Sequence, residues 1–295
     1  MNKQIIFNLG HENLAQALVQ ATGLSSGSYT YHRFPDGESF IQVESDCTDK
    51  QAIIVANLHH PDDKLLPLAF LADAIRSRGA TSVVLIAPYL PYMRQDKQFH
   101  PGECVTSRIF AEHLSKIVDR LITVDPHLHR YHSLDELYTI PSQVLSAMDD
   151  IAEWVRANIL HPLIIGPDSE SEQWARTTAE KIGCTYLILE KHRYGDRDVE
   201  VDMPDLSEYA NHTPVLVDDI ISTGRTMIKT AEHLREMGLK APVCIGVHAV
   251  CGDEDYHRLK QGYVERVVSC DTIVHESNGV FLADRIAACQ VAIGE

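Results

Sequence analysis

The sequence predicts an α/β fold of two similar domains, each a mostly parallel sheet flanked by helices. Short apolar runs alternate with helical patterns along almost the whole chain, which is typical of parallel sheets covered by helices on both faces. The apolar runs 121–124 and 215–217 are each followed by an aspartate and a loop, which favours two domains of similar build. A chain of 295 residues has room for both.

In the first half of the chain, strands and helices are expected to alternate. The predicted strands are 5–9, 52–56, 83–87 and 121–124, and the predicted helices are 11–21, 62–78 and 105–116. Gly79 follows the second of these helices, where glycine commonly ends a helix because it enters the left-handed region at low cost.

The second half repeats this pattern. Strands are predicted at 163–165, 186–189, 215–217 and 243–247, and helices at 170–181 and 223–237. The apolar rhythm pauses between residues 141 and 150. We therefore expect an N-terminal domain at 1–145 and a C-terminal domain at 146–295.

The composition excludes several classes of partner. Acidic residues outnumber basic ones by 42 to 26, and the resulting net charge of −16 repels nucleic acid and anionic membrane. The seven cysteines are scattered and include no Cys-x-x-Cys pair, so free thiols are expected. No signal peptide and no apolar run of about 20 residues is evident. The expected protein is cytoplasmic, with neither nucleic acid nor membrane as a partner.

The strongest functional signal follows the third predicted strand of the second half. That strand leads into Asp218 and Asp219, then a turn containing Ser222, Thr223 and Gly224, then a helix. Backbone N–H groups at a helix N-terminus form a phosphate site, and glycine lets the backbone approach an anion. The two carboxylates repel phosphate and are expected to face sugar hydroxyls or a cation. Alternatively, the turn is solvated and a hydroxyl caps the helix.

This stretch resembles the phosphoribosyl diphosphate (PRPP) loop shared by phosphoribosyltransferases and PRPP synthetases. Five further segments are similar to motifs of PRPP synthetases, in the order of that family, namely 33–38, 87–96, 125–127, 166–168 and 190–193. Six motifs in order are far more specific than one. The chain thus resembles the PRPP synthetase (ribose-phosphate diphosphokinase) family, and the resemblance implies two phosphoribosyltransferase-like domains.

The resemblance implies an ATP site in the first domain. It assigns ATP to Phe34, Asp36, Glu38, Arg94, Gln95 and His127. Phe34 can stack on a purine, Asp36 or Glu38 can accept from an exocyclic amine, and Arg94 can grip phosphate oxygens with paired donors. Taken alone, the segment 35–37 is also a good hairpin turn.

The resemblance also implies Mg²⁺ as cofactor, with His127 and Asp168 on the metal side. His129 and His132 lie close to His127 in sequence, which raises zinc as an alternative. No cysteine or closely spaced carboxylate completes a zinc pattern, and triphosphate chemistry suits Mg²⁺ better.

The second domain is expected to bind ribose 5-phosphate and to carry the catalytic lid. The ribose 5-phosphate residues are Asp218, Asp219, Ser222, Thr223, Gly224, Arg225 and Thr226. Lys191 and Arg193 match the family's catalytic flexible loop and precede a polar, glycine-containing stretch. Two cations on a lid can neutralise charge on a transferring diphosphoryl group. The alternative is a charged hairpin.

The activity implied by the resemblance is diphosphoryl transfer from ATP to ribose 5-phosphate, giving AMP and PRPP, by a homo-oligomer that is at least a dimer and as large as a hexamer. The alternatives are a phosphoribosyltransferase and a catalytically silent regulatory subunit. The segment 169–174, Ser-Glu-Ser-Glu-Gln-Trp, replaces the small glycine-rich loop common in the family. This departure leaves open how the diphosphate or ribose is held.

Phosphate activation is predicted to be weak or absent. The segment 97–103 lacks the basic character of the family's effector segment, and the next arginine is Arg108. ADP is therefore expected to inhibit in competition with ATP. Initial rates against ATP at several ADP concentrations, with and without phosphate, test this. A strong phosphate requirement, or ADP inhibition that ATP cannot relieve, would show a separate effector site.

Overall fold

The computed structural model describes residues 3–194, 198–202, 206–261 and 264–293. The chain forms two compact units. The first comprises Met1–Leu145, Thr272–Val274 and Leu282–Glu295, and the second comprises Ser146–Asp271 and His275–Phe281.

The elements up to residue 145 follow the predicted alternation, with additional strands. In chain order they are β1 (Gln4–Leu9), α1 (Glu12–Thr22), β2 (Ser25–Ser26), β3 (Tyr29–Arg33), β4 (Ser39–Val43), β5 (Gln51–Ala56), α2 (Leu65–Ser77), β6 (Ser82–Ile86), α3 (Thr106–Ile117), β7 (Arg120–Val124) and β8 (Ser142–Leu145).

The rest of the chain repeats the alternation and ends in a helix. Its elements are α4 (Met148–Asn158), β9 (Pro162–Gly166), α5 (Glu172–Ile182), β10 (Tyr186–Ile188), β11 (Glu190–Tyr194), β12 (Asp198–Asp202), β13 (Thr213–Ile221), α6 (Arg225–Glu236), β14 (Val243–Ala249), α7 (Asp253–Lys260), β15 (Arg266–Cys270), β16 (Asn278–Val280) and α8 (Ala283–Ile293).

Each unit is built on a six-stranded parallel sheet. The strand order is β2-β1-β5-β6-β7-β8 in the first unit and β10-β9-β13-β14-β15-β16 in the second. The inner strands β5, β6 and β14 are buried almost along their whole length, as expected for strands with helices on both faces. The predicted fold class, two similar α/β domains, is confirmed.

Two antiparallel ribbons stand apart from these sheets. The first pairs β3 with β4, from Tyr29 opposite Val43 to Arg33 opposite Ser39. Its turn is closed by the Phe34 N–H, which donates to the Glu38 carbonyl at 2.8 Å, and Gly37 adopts a left-handed φ of 91°. The hairpin considered as an alternative for this segment is therefore present. The second ribbon pairs β11 with β12.

The structure differs from the sequence-based expectation at two places. The strand predicted at 215–217 continues as β13 to Ile221, because β14 goes on pairing with it as far as Ile221 opposite Ala249. The last helix, α8, belongs to the first unit, where it packs against α1, whereas the sequence placed every residue after 145 in the second domain.

Two further observations concern the whole described chain. All seven cysteines are free thiols. No helix within the described ranges is long and apolar enough to cross a membrane.

The close approach of β14 to the end of β13 requires glycine. A Cβ on Gly246 would lie 2.5 Å from Cγ1 of Ile221, whereas a Cβ on Gly252 would meet nothing within 4 Å. Gly246→Ala is therefore expected to lower the free energy of unfolding by about 1–3 kcal/mol, the usual cost of overpacking. Gly252→Ala is the control and should cost less than about 1 kcal/mol. Equal urea-unfolding midpoints for the two variants would contradict this packing.

Candidate active site

Strands β9 and β13 deliver three carboxylates to one edge of the second sheet. The two strands are parallel neighbours with Ile165 opposite Leu216. Asp168 follows the end of β9, and Asp218 and Asp219 lie near the end of β13. Ligands of open α/β sheets bind beyond the carboxyl ends of the strands, so this edge is where a substrate is expected.

Burial and neighbouring charges disfavour the ionised form of Asp218. Burial raises the pKa of the Asp218 carboxyl well above its usual range, and the neighbouring charges of Asp219 and Asp168 raise it further. The Asp219 N–H donates to Oδ1 of Asp218 at 3.0 Å, which opposes the shift only in part. Crowded carboxylate oxygens are the donor set that Mg²⁺ prefers, and a cation would relieve their repulsion. The residues present therefore fit a divalent cation.

The turn between β13 and α6 presents an open helix N-terminus. Helix α6 begins at Arg225, and Gly224 occupies the N-cap with a left-handed φ of 67°. Glycine at the N-cap has no side chain to cap the helix, and the first turn of α6 contains no acidic residue. The helix predicted to start at residue 223 starts later, because Gly224 turns the chain before it. Gly224, and neither Ser222 nor Thr223, occupies the N-cap position, and a helix N-terminus with a glycine cap suits an anion.

The turn between β9 and α5 is built in the opposite way. A 3₁₀ turn, Ser169–Ser171, precedes α5, and Asp168 caps it. Oδ1 of Asp168 accepts from the Ser171 N–H at 3.2 Å, and Oγ of Ser171 donates to the Asp168 carbonyl at 2.6 Å. Glu170 and Glu172 are exposed beside it. The Ser171 N–H of this turn is therefore bonded to the carboxylate of Asp168, and the exposed glutamates give the turn a negative charge.

The proposed lid residues lie on the second ribbon. The backbone places Lys191 opposite Val201 and Arg193 opposite Val199. The side chains of Lys191 and Arg193 lie outside the described part of the structure, so their catalytic role stays a prediction.

The loop after β6 holds Arg94 and Gln95 in the first unit. Tyr92 adopts a left-handed φ of 64°, and its carbonyl accepts from the Gln95 N–H at 3.3 Å. The Gln95 side chain accepts from Oγ1 of Thr106 at 3.0 Å, which ties the loop to the start of α3. Arg94 is exposed. A bulky residue with positive φ is rare and is often associated with a functional site.

The loop after β7 holds His127 in a similar setting. Asp125 has a positive φ of 32°, and its N–H donates to the Leu145 carbonyl at 2.9 Å. The His127 and His129 rings have centroids 4.0 Å apart. In both loops of this unit, a left-handed non-glycine residue stands two positions before a residue assigned to ATP.

The tip of the first ribbon gathers the three residues assigned to adenine. Phe34 is 44% exposed, and its ring meets His32 edge-on with centroids 4.8 Å apart. His32 also stacks on Phe40 at 4.6 Å. Asp36 and Glu38 line a cleft of about 540 Å³ near the start of α2. An exposed aromatic ring beside carboxylates suits a purine with an exocyclic amine.

The structure thus arranges the predicted residues in separate groups. The first unit holds three groups, which lie at the tip of the first ribbon, in the loop after β6 and in the loop after β7. The second unit holds the carboxylates and the turn into α6. Sequence reasoning missed Ser171. Its spacing from Asp168 is that of a capping box, a signal present in the sequence.

Two family matches cover the N-terminal and C-terminal parts of the chain. Residues 4–117 match the N-terminal domain of ribose phosphate pyrophosphokinase, and residues 133–285 match the phosphoribosyl transferase domain. The ribose-phosphate pyrophosphokinase of Methanopyrus kandleri is 34% identical over 258 residues, covering 86% of this chain and 87% of that protein. The chain belongs to the ribose-phosphate pyrophosphokinase family.

Other similarities extend over the whole chain. The ribose-phosphate pyrophosphokinase of Halobacterium salinarum is 32% identical over 278 residues, covering 94% of this chain and 96% of that protein. The crystal structure of phosphoribosylpyrophosphate synthetase from Mycobacterium smegmatis has a TM-score of 0.86 at 22% identity, covering 100% of this chain and 99% of that one, which shows the shared fold. The N-terminal match distinguishes a ribose-phosphate pyrophosphokinase from a phosphoribosyltransferase, the first alternative considered above.

The crowded carboxylates predict a pH dependence of stability. A carboxyl whose pKa is raised by folding binds its proton more tightly in the folded chain than in the unfolded one. The free energy of unfolding is therefore expected to fall as pH rises from the ordinary carboxyl range through the raised pKa of Asp218. Urea unfolding in EDTA across this range measures the slope.

Asp218→Asn should flatten that slope and stabilise the protein at the alkaline end. Glu172→Gln, which removes an exposed carboxylate from the same unit, is the control and should leave the slope in place. An unchanged slope in Asp218→Asn would contradict the electrostatic account.

Proposed function

We propose that this protein transfers the diphosphoryl group of Mg²⁺-ATP to the C1 hydroxyl of ribose 5-phosphate, forming AMP and PRPP. The observation that carries the proposal is the N-terminus of α6, with Gly224 at its N-cap, which follows the half-buried Asp218 and the buried Asp219 near the end of β13. That arrangement offers a phosphate site and hydroxyl acceptors side by side, in a chain whose family is named for this reaction.

The second unit is proposed to bind ribose 5-phosphate. Backbone N–H groups at the start of α6, with the hydroxyls of Ser222, Thr223 and Thr226, would receive the 5-phosphate. Asp218 and Asp219 in their charged form would repel a phosphate. They would accept hydrogen bonds from the ribose hydroxyls or bind a cation.

Asp168 is proposed as the metal-side residue of the second unit and His127 as that of the first. Bound Mg²⁺ supplies charge neutralisation on the phosphates of ATP. Asp168 contributes a carboxylate fixed by its own turn, and His127 contributes an imidazole beside the exposed His129.

The first unit is proposed to bind the rest of ATP. Phe34 would stack on the adenine, and Asp36 and Glu38 would accept from its amino group. Arg94 is exposed on a constrained loop and would pair with phosphate oxygens, as would Gln95.

Alignment and charge neutralisation account for most of the catalysis of such a transfer. The C1 oxygen attacks the β-phosphorus as the bond from that phosphorus to the α,β-bridging oxygen breaks, and AMP leaves. Lys191 and Arg193 are proposed to supply positive charge to the transferring group. No residue is assigned as general base.

We also propose that the protein is a homo-oligomer of at least two copies and as large as a hexamer. Its proposed location is the cytoplasm. The first unit exposes large apolar side chains on α2 and α3, including Leu66 at 62% and Ile109 at 48%. Contiguous exposed apolar surface marks an interaction site, and a second copy is the occupant that the family resemblance implies. Free cysteines agree with a reducing compartment. Light scattering tests the assembly, and a fully active monomer would contradict it.

The reaction predicts stoichiometric AMP and PRPP from ATP and ribose 5-phosphate. Formation of both should stop when EDTA removes Mg²⁺ and return when Mg²⁺ is added. Chromatography of the nucleotides together with a PRPP-coupled assay measures both products. ADP in place of AMP would show simple kinase chemistry, and no turnover by the pure protein would favour the catalytically silent subunit.

Lys191→Ala and Arg193→Ala should each lower kcat by on the order of 10²-fold or more, with little change in ATP binding. Their contacts are expected to form mainly in the transition state, which is why kcat should carry the loss. Lys229→Ala, at an exposed lysine of α6, is the charge-matched control and should leave kcat unchanged. Near-normal kcat with a raised KM in the two lid variants would refute the role.

A further inference from the structure

We propose that Ser171 is a positioning residue, which holds the Asp168 carboxylate at the edge of the second sheet so that it can bind a divalent cation. This inference rests on the proposed function, since it deepens the assignment of Asp168 to the metal side. It concerns the turn in which the sequence departs from the family's common glycine-rich pattern.

Besides the backbone bond from the Ser171 N–H to the Asp168 carbonyl at 3.2 Å, three hydrogen bonds join Ser171 to Asp168. The Ser171 N–H donates to Oδ1 of Asp168 at 3.2 Å, and the Asp168 N–H donates to Oγ of Ser171, also at 3.2 Å. The third bond runs from Oγ of Ser171 to the Asp168 carbonyl at 2.6 Å. One residue therefore fixes both the backbone and the side chain of Asp168.

Packing leaves the serine no room to move. Ser171 has no exposed surface. A Cβ on Gly166 would come within 2.8 Å of Oγ of Ser171, so the end of β9 lies directly against this hydroxyl. Trp174, at 7% exposure, and the fully buried Ala175 lie in the first turn of α5, so the residues that follow Ser171 are buried as well. A buried, fully bonded hydroxyl in such a setting transmits its position to the residue it contacts.

The charge of the turn indicates which ligand Asp168 serves. Glu170 and Glu172 are exposed on either side of Ser171, and the Ser171 N–H donates to Asp168 itself. An anion would meet three carboxylates there, whereas a cation would meet an oriented carboxylate with further acids around it. Outer hydrogen bonds that orient a metal ligand are commonly worth 10–100-fold in metal affinity.

The test measures Mn²⁺ affinity of the substrate-free protein by electron paramagnetic resonance, with Mg²⁺ as competitor. Ser171→Ala removes the two hydrogen bonds between Oγ and the Asp168 backbone and keeps the backbone N–H bond to Oδ1, so the carboxylate loses the anchoring of its own main chain. This variant should raise the Kd for Mn²⁺ about tenfold. Ser169→Ala makes the same substitution at an exposed position of the same turn and should leave the Kd unchanged. Ser171→Cys keeps a weak donor of similar shape and should fall between wild type and Ser171→Ala.

Measurement of kcat distinguishes a positioning role of Ser171 from a role in maintaining the fold. At saturating Mn²⁺, Ser171→Ala should recover most of its kcat, because the bound cation itself holds the carboxylate. Circular dichroism checks that the fold is kept, and if Ser171→Ala does not fold, Ser171→Cys decides. An unchanged Kd in the folded Ser171 variant, an equal loss in Ser169→Ala, or no Mn²⁺ binding by wild type would overturn the inference. If wild type binds Mn²⁺ with this pattern yet makes no PRPP, the proposed function fails and the positioning role stands.

Discussion

The parallel pairing of β9, β13 and β14 is the constraint on which the candidate site depends. Its register sets Ile165 beside Leu216 and Asp218 beside Gly246, so Asp168 and the pair Asp218 and Asp219 lie at one edge. Hydrogen bonding of the sheet holds the carboxylates there despite burial and mutual repulsion, which together raise the pKa of Asp218. The energetic cost of that crowding is the reason to expect a ligand that offsets it.

The two turns at this edge of the second sheet favour ligands of opposite charge. The turn into α6 has a glycine at the N-cap and no acidic residue in its first helical turn, so its N–H groups favour an anion. The turn into α5 is capped by Asp168 and carries Glu170, so it favours a cation. A phosphorylated sugar and a metal ion can therefore bind close together without competing for the same donors, in spite of a net charge of −16.

Much of this could be predicted from the sequence, and the exceptions have physical reasons. Buried parallel strands such as β5 and β14 are continuous apolar runs, so their places were evident. The strand β11 is polar and gives no apolar alternation, so the sequence predicts a lid there and offers the hairpin only as the alternative. The sequence predicts the end of β13 too early because Asp218 and Asp219 are polar. Pairing with β14 continues the strand through both residues to Ile221. The sequence carries the capping-box spacing of Ser171 from Asp168, but it does not reveal that this serine is buried against the end of β9.

The 5-phosphate of ribose 5-phosphate is proposed to bind at the start of α6 and not at the start of α5. A crystal structure of the protein with ribose 5-phosphate and Mg²⁺ distinguishes the two positions. We expect phosphate oxygens within hydrogen-bond distance of backbone N–H groups of Thr223, Gly224, Arg225 or Thr226, and a cation near Asp168. A phosphate bound instead to the N–H groups of the Ser169–Ser171 turn would contradict it.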